Sequence, residues 1–344
     1  LLKILGIETS CDDTSVAVVS ENKQILANEV ISQTKEHALF GGVVPEVASR
    51  SHLEYLDKLL DHIEDKAKID FTDIDAIAVT SGPGLIGGVM VGVMYAKAIA
   101  AVLNKPIIAV NHLEGHALTV RLTDDINYPF LLLLVSGGHT QFLIIKDLGC
   151  YESIGSTLDD ALGEAFDKVA KMLGLGYPGG PAVEKMAANG NPNAFIFPKP
   201  LCGIDNCNFS FSGLKTAVKR AIDEIGEHNI TTEIKCNIAA SFQKTICEIL
   251  KVKSLNAISI FNNHLNKKSI NKNFVIAGGV AANSYIRNEL GKICEDNDFK
   301  FYVPPVNLCT DNAAMIAWVG VEKFKKGMFS DLNFKPYSKK GLGI

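Results

Sequence analysis

The chain has 344 residues, 47% apolar and 21% charged, the composition of an ordinary globular protein with length for two domains. That excludes a disordered tail protein, and the absence of a sustained heptad pattern excludes a coiled coil. Net charge is −4, from 34 basic and 38 acidic residues, so any contact with nucleic acid must come from a local patch or a partner. In chain order, a strand is predicted over 3–7, then the polar turn Glu8-Thr9-Ser10-Cys11-Asp12-Asp13-Thr14-Ser15, then a strand over 16–20. A strand over 75–80 leads through Ser81-Gly82-Pro83-Gly84 into a long apolar helix over about 89–103 and a strand over 107–110. The hairpin plan recurs at 130–135 and 141–145 around Ser136-Gly137-Gly138-His139-Thr140. A Pro-, Gly- and Asn-rich loop over 176–200 holds a short helix near 182–188, and an exposed loop is expected over 262–272. A strand over 273–277 then enters Gly278-Gly279-Val280-Ala281-Ala282-Asn283, followed by a helix over 284–295, a strand over 301–303 and a helix over 313–319. Strands alternating with helices in two similar halves predict a duplicated mixed α/β fold.

The eight cysteines are scattered without a CxxC pair and are expected as free thiols. No run of 18 apolar residues predicts a membrane helix, and the first residues lack the pattern of a signal peptide, so the expected location is the cytoplasm with no membrane partner.

Several segments carry chemistry. Small residues let backbone approach a phosphate, and successive N–H groups form an anion-binding concavity. Ser136-Gly137-Gly138 suits that role, with a tight turn as the plain alternative, and Gly278-Gly279 suits a nucleotide ring with Asn283 hydrogen-bonded to it. Neither a Walker pattern nor GxGxxG occurs. In Asn111-His112-Leu113-Glu114-Gly115-His116 a helix would put His112 and His116 on one face, close enough to share a metal or to form a satisfied polar face. The Glu of a zinc-protease motif is displaced, since Glu114 faces away from the histidines. Asp311, before the last helix, offers a third ligand or an N-cap. Because about 195 residues separate it from His116, closure of the two halves against each other is expected to bring the ligands together. Asp160, Glu164, Asp167 and Lys168 are spaced to share a helix face. The helix after Ser210–Thr216, bearing Lys215, Lys219 and Arg220, can meet an RNA backbone or stand as an ordinary basic helix.

Together these segments resemble the TsaD family of tRNA threonylcarbamoyladenosine-forming proteins, bacterial type, formerly called O-sialoglycoprotein endopeptidases. The matching stretches are GIETSCDDTS at 6–15, GGVVPEVASRSH at 41–52, TSGPGLIGG at 80–88, NHLEGH at 111–116 and LLVSGGHTQ at 133–141. They continue with GEAFDKVAKMLGLGYPGGP at 163–181, FSFSGLKT at 209–216, AGGVAANSYIR at 277–287 and TDNAAMIA at 310–317. The resemblance implies a two-lobed, actin-like ATPase fold of the ASKHA class with a cleft between its lobes, here drawn at 1–128 and 129–325 with a tail at 326–344. It implies transfer of threonylcarbamoyl from threonylcarbamoyl-adenylate to N6 of adenosine 37 in tRNAs reading codons that begin with A, with release of AMP. His112, His116 and Asp311 would hold one divalent metal, commonly iron, with zinc the alternative. Leu134, Val135, Ser136, Gly137, Gly138, Asp167, Gly180 and Asn283 would contact the intermediate. A TsaB-like paralogous subunit and a TsaE-like P-loop ATPase are the implied partners. Asp12 and Asp13 are candidate proton acceptors by position alone. The rival readings are a metalloprotease, from the histidine pair and the older label, and a non-catalytic nucleotide-binding scaffold.

Overall fold

The computed structural model describes residues 1–264 and 271–343. Two compact units emerge, Leu1–Ile126 with Pro304–Leu342, and Asn127–Val303. Each is built on a five-stranded mixed sheet of the same plan.

The first sheet holds β1 (Lys3–Glu8), β2 (Asp13–Ser20), β3 (Ile25–Ser32), β4 (Ala76–Gly82) and β5 (Ile107–Asn111) in the order β3-β2-β1-β4-β5. Its first three strands are antiparallel, and β4 and β5 join parallel. After β3 come α1 (Thr34–Ala38) and α2 (Pro45–Ala67), then α3 (Ile86–Leu103) crosses from β4 to β5 and α4 (His112–Thr123) follows β5. On α2 the buried side chains Ala48, His52, Leu56, Leu59, Ile63 and Ala67 recur every three or four residues, the stripe that a helix turns toward a core.

The second sheet repeats the plan with β6 (Phe130–Val135), β7 (Thr140–Asp147), β8 (Cys150–Ser156), β9 (Asn273–Ala277) and β10 (Lys300–Tyr302), in the order β10-β9-β6-β7-β8. Between β8 and β9 lie α5 (Leu162–Leu173), α6 (Gly179–Ala187), α7 (Ser212–Ile225) and α8 (Thr232–His264), and α9 (Ser284–Asp296) crosses to β10. The last helix, α10 (Ala313–Lys325), packs on β1, β2 and β4 and so completes the first unit. The segment 304–325 therefore lies with the first unit, where the sequence reading drew it into the second lobe.

The duplicated α/β plan stands as expected, and β6 and β9 match their predicted spans residue for residue. Three other features differ. Each predicted hairpin is a three-stranded meander, because β3 and β8 add a half-buried outer strand. Residues 262–264, expected in a loop, close α8, and 265–270 lie outside the described residues. Finally, α3 is long and apolar enough in composition to cross a membrane, yet it packs one face on β4 and α2, through Val89, Val93, Ala96 and Ala100, and leaves the other exposed.

Candidate metal centre and substrate loops

β1 ends in Glu8, a carboxylate that follows the apolar run Ile4–Ile7, and α4 begins with His112 directly after β5. Asn111 caps α4, its Oδ1 accepting from the N–H of Leu113 at 2.8 Å and of Glu114 at 3.4 Å. The helical turn then sets the rings of His112 and His116 4.8 Å apart.

Asp311 reaches them because α10 lies unusually close to β1 and α4. A Cβ on Gly6 would come within 2.4 Å of the Ala313 carbonyl, and one on Gly115 within 2.9 Å of Ile316 Cδ1. Only glycine permits the first approach, which is to backbone; the second falls on the tip of a flexible side chain. Asn312, not Asp311, caps α10, accepting the Met315 N–H at 3.0 Å, while the Ala313 N–H bonds Ser15 Oγ. The cap reading of Asp311 thus falls, and its carboxylate turns to the histidines. Oδ1 stands 3.1 Å from His116 Nε2 and 3.5 Å from His112 Nε2. One donor atom from each residue lies within 4.8 Å of the others, a group of two imidazoles and a carboxylate that can hold one metal ion. All three belong to the first unit. The expectation that ligands come from both halves is corrected: the chain returns through 304–342 to deliver Asp311.

Behind the histidines, Glu8 Oε2 lies 3.1 Å from His112 Nδ1, and Ser10 Oγ lies 3.0 Å from the same nitrogen. Thr80 Oγ1 donates to Glu8 as well. A carboxylate on the far ring nitrogen fixes the tautomer that leaves Nε2 free to ligate. In the metal-free chain burial disfavours the His112 imidazolium, but the charges of Asp311 and Glu8 outweigh it and hold its pKa up at about 9. Burial works to raise Glu8, and the His112 charge and hydrogen bond bring it below the usual carboxylate range. Glu114 is buried on the opposite side, its Oε2 2.7 Å from Lys323 Nζ.

Asp12 and Asp13 stand at the β1–β2 turn in the same unit. Burial, with Asp311, Asp12 and Glu8 nearby, pushes the Asp13 carboxyl up to about 7. The buried ring of His52 holds this turn, 3.0 Å from the Cys11 carbonyl and 2.8 Å from Thr14 Oγ1.

The proposed substrate residues gather in the second unit. β6 and β9 run parallel with Leu134 opposite Ala277, which sets the two glycine loops side by side. A Cβ on Gly278 would sit 2.4 Å from the Val135 carbonyl, and its φ of +95° is one that glycine tolerates. The loop after β6 closes on itself, the Ser136 N–H donating to the His139 carbonyl at 2.8 Å. Gly137 and Gly138 are exposed, and a Cβ on either meets nothing within 4 Å. Leu134 and Val135 bury their side chains, leaving only backbone to face a ligand. Asp167 Oδ1 accepts the Gly179 N–H at 2.8 Å and pins the start of α6, beside which Gly180 has open space. Asn283 caps α9 through Oδ1 and donates from Nδ2 to Gln243 Oε1 at 3.0 Å, so one amide hydrogen remains for a ligand. Asp160 does not share a helix face with Glu164, since α5 starts at Leu162; Lys168 reaches both, at 2.8 and 2.7 Å.

Sequence reasoning missed Glu8 as the support of His112. Its signal was an acidic residue ending a strand, KILGIE, whose neighbours are buried.

A family model described as TsaD: tRNA N6-adenosine threonylcarbamoyltransferase matches residues 24–318. Two curated proteins named tRNA N6-adenosine threonylcarbamoyltransferase are similar over 99% of this chain and 98% of their own lengths. One, from Rickettsia rickettsii (strain Sheila Smith), is 55% identical; the other, from Rickettsia bellii (strain OSU 85-389), is 56% identical. Among solved structures, HypF from T. kodakarensis superposes with a TM-score of 0.61 at 14% identity, over 95% of this chain and 48% of that one. Component A of the (R)-2-hydroxyglutaryl-CoA dehydratase of Acidaminococcus fermentans gives 0.52 at 13% identity, over 95% of this chain and 99% of that one. These likenesses show the actin-like ATPase fold. On the family match and the full-length relatives together, the chain belongs to the tRNA N6-adenosine threonylcarbamoyltransferase family.

Proposed function

We propose that the chain transfers the threonylcarbamoyl group from threonylcarbamoyl-adenylate to N6 of adenosine 37 in tRNA, releasing AMP, with dependence on one divalent metal. The observation that carries the metal dependence is the His112, His116 and Asp311 group with Glu8 behind His112. Two histidines and one carboxylate suit non-haem iron(II), with zinc the competitor. Bound there, the metal supplies Lewis-acid polarisation and a template with positions left open for substrate. The chain's own residues do the rest. Gly137 and Gly138 offer backbone N–H groups to the adenylate phosphate, and the carbonyl carbon is already activated by the AMP leaving group. The exocyclic amine of adenine is a poor nucleophile, so holding it in line with that carbon is a large part of the acceleration. Asp13, with Asp12 beside it, is our assignment for the group that takes the amine proton, because both carboxyls stand at the β1–β2 turn of the unit that holds the metal group.

The metalloprotease reading is not favoured. Its general base would be Glu114, which is buried against Lys323 away from the histidines.

The metal competes with a proton on His112. Because the pKa of that ring is raised to about 9, uptake of metal at pH 7.5 should release about one proton from His112. Titration calorimetry in two buffers of different ionisation enthalpy reads that number; no release would show that His112 is neutral before the metal arrives. In the same titration Glu8→Gln should lower metal affinity by roughly 10–100-fold with the fold kept.

A TsaB-like subunit and a TsaE-like ATPase complete the proposal. Ile86, Met90 and Met94 repeat every four residues on α3, all substantially exposed. Leu53 on α2 falls opposite residues 90–94, since Gly87 meets Ser49 and Tyr95 bonds Asp57. A Met-containing apolar stripe on two paired helices suits a paralogous actin-like subunit. The purified chain alone should modify tRNA poorly until both partners are added, as measured by labelled threonine incorporated into tRNA. Met90→Glu with Met94→Glu should weaken the paired complex about tenfold or more in sedimentation. Robust multiple turnover by the chain alone, given adenylate and tRNA, would contradict the partner requirement.

A further inference from the structure

We infer that the C-terminal strap carrying Lys335, Lys339 and Lys340 is a docking surface for the phosphate backbone of the RNA substrate, an inference that rests on the tRNA-transferase reading above. The strap leaves α10 and crosses the β4–α3 turn of its own unit. The Tyr337 N–H donates to the Ser81 carbonyl at 2.9 Å, and the Gly84 N–H donates to the Ser338 carbonyl at 3.3 Å. At Gly82, where φ is +133°, a Cβ would stand 2.1 Å from the Tyr337 carbonyl, so the crossing itself requires glycine. Lys97 Nζ donates to the Phe334 carbonyl at 2.7 Å, and Asn111 Nδ2 donates to the Lys340 carbonyl at 3.4 Å. The backbone is thereby held at both ends, and its last tie is to the residue that caps α4, next to His112.

On this fixed backbone the three lysines are exposed. Among the described residues none of them has a carboxylate within 4 Å, and Lys340 has only the Tyr337 ring, 6.0 Å from its centroid. The basic helix singled out in the sequence behaves differently. On α7, Lys215 lies 3.6 Å from Asp160 and Lys219 lies 3.5 Å from Asp223, which neutralises most of its charge. In a chain of net charge −4, a held strap with three ammonium groups that meet no carboxylate among the described residues is a local patch of the kind an RNA contact demands. Ammonium groups suit phosphate as point charges and do not read base edges, which fits a substrate set of several tRNAs that share one modified position.

The test is the triple variant Lys335→Glu, Lys339→Glu, Lys340→Glu in the full chain with its partner subunits. The KM for tRNA should rise roughly tenfold or more at low salt, and the salt slope of tRNA binding should fall by about two to three, one counterion term per lost phosphate contact. The kcat should stay within about twofold, and metal content and adenylate-analogue affinity should not change, since the lysines touch neither site. The arginine triple should behave as wild type, and the alanine triple should shift KM in the same direction by less. If wild type transfers and the glutamate triple keeps its KM and salt slope, the strap is not the docking surface and the functional reading stands. If wild type with its partners modifies no tRNA, the functional reading falls and the strap inference falls with it.

Discussion

His112→Ala and Asp311→Ala should each lose the bound metal and abolish transfer while the fold is kept. The ligands sit on frameworks that do not depend on them. Asn111 and Asn312 supply the helix caps, and Gly6 sets the approach of α10. Removing Asp311 relieves carboxylate crowding with Glu8 and Asp13 but also removes a counter-charge of the buried His112, so the two effects oppose each other and the metal-free variant should melt close to metal-free wild type. Loss of one of three ligands should weaken metal binding by orders of magnitude, because three protein donors are the usual minimum for a catalytic site. Glu114→Gln is the matched control. It should keep the metal, though breaking a buried contact with Lys323 should cost about 3–5 kcal/mol of stability. Metal analysis of the purified variants, with circular dichroism, checks both. Full occupancy in Asp311→Ala would mean that another residue completes the site.

Gly138→Val should reduce binding of a non-hydrolysable adenylate analogue by roughly a hundredfold, the loss of two charge-assisted hydrogen bonds at about 1.5 kcal/mol each. Thermal unfolding should hardly move. A Cβ at Gly138 meets no protein atom within 4 Å, and its φ lies outside the left-handed region, so neither clash nor strain is available to destabilise the fold. Gly278→Ala is the contrasting case. There a Cβ would collide with the Val135 carbonyl at 2.4 Å, and the strained φ adds to it, so stability and binding should fall together. A large drop in melting temperature for Gly138→Val would show that this glycine serves the turn instead.

Central strands were the most legible part of the fold. The runs FLLLLV and NFVIA are buried along their whole length, and so short an apolar stretch between turn residues reads as a strand by its length. The outer strands β3 and β8 were not legible, because ILANEVIS and CYESIGS are only half-buried and carry polar residues on both faces. In α8 the difficulty is the reverse: it is buried on most sides, so the contrast that marks an amphipathic helix is weak. At the metal centre the residue types and the i, i+4 spacing were readable, but the source of Asp311 was not. Its position beside the histidines follows from a chain return at 304 and from backbone-level packing of α10 on β1, a tertiary fact that no local pattern encodes. Glu8 was hidden for a related reason, since its value depends on an imidazole 104 residues away.

The central claim is most directly tested by mass spectrometry of nucleosides from the tRNA of cells depleted of this chain. N6-threonylcarbamoyladenosine should disappear from tRNAs reading codons that begin with A, and should return with the wild-type chain but not with Asp311→Ala. An undiminished level of that nucleoside in depleted cells would contradict the account.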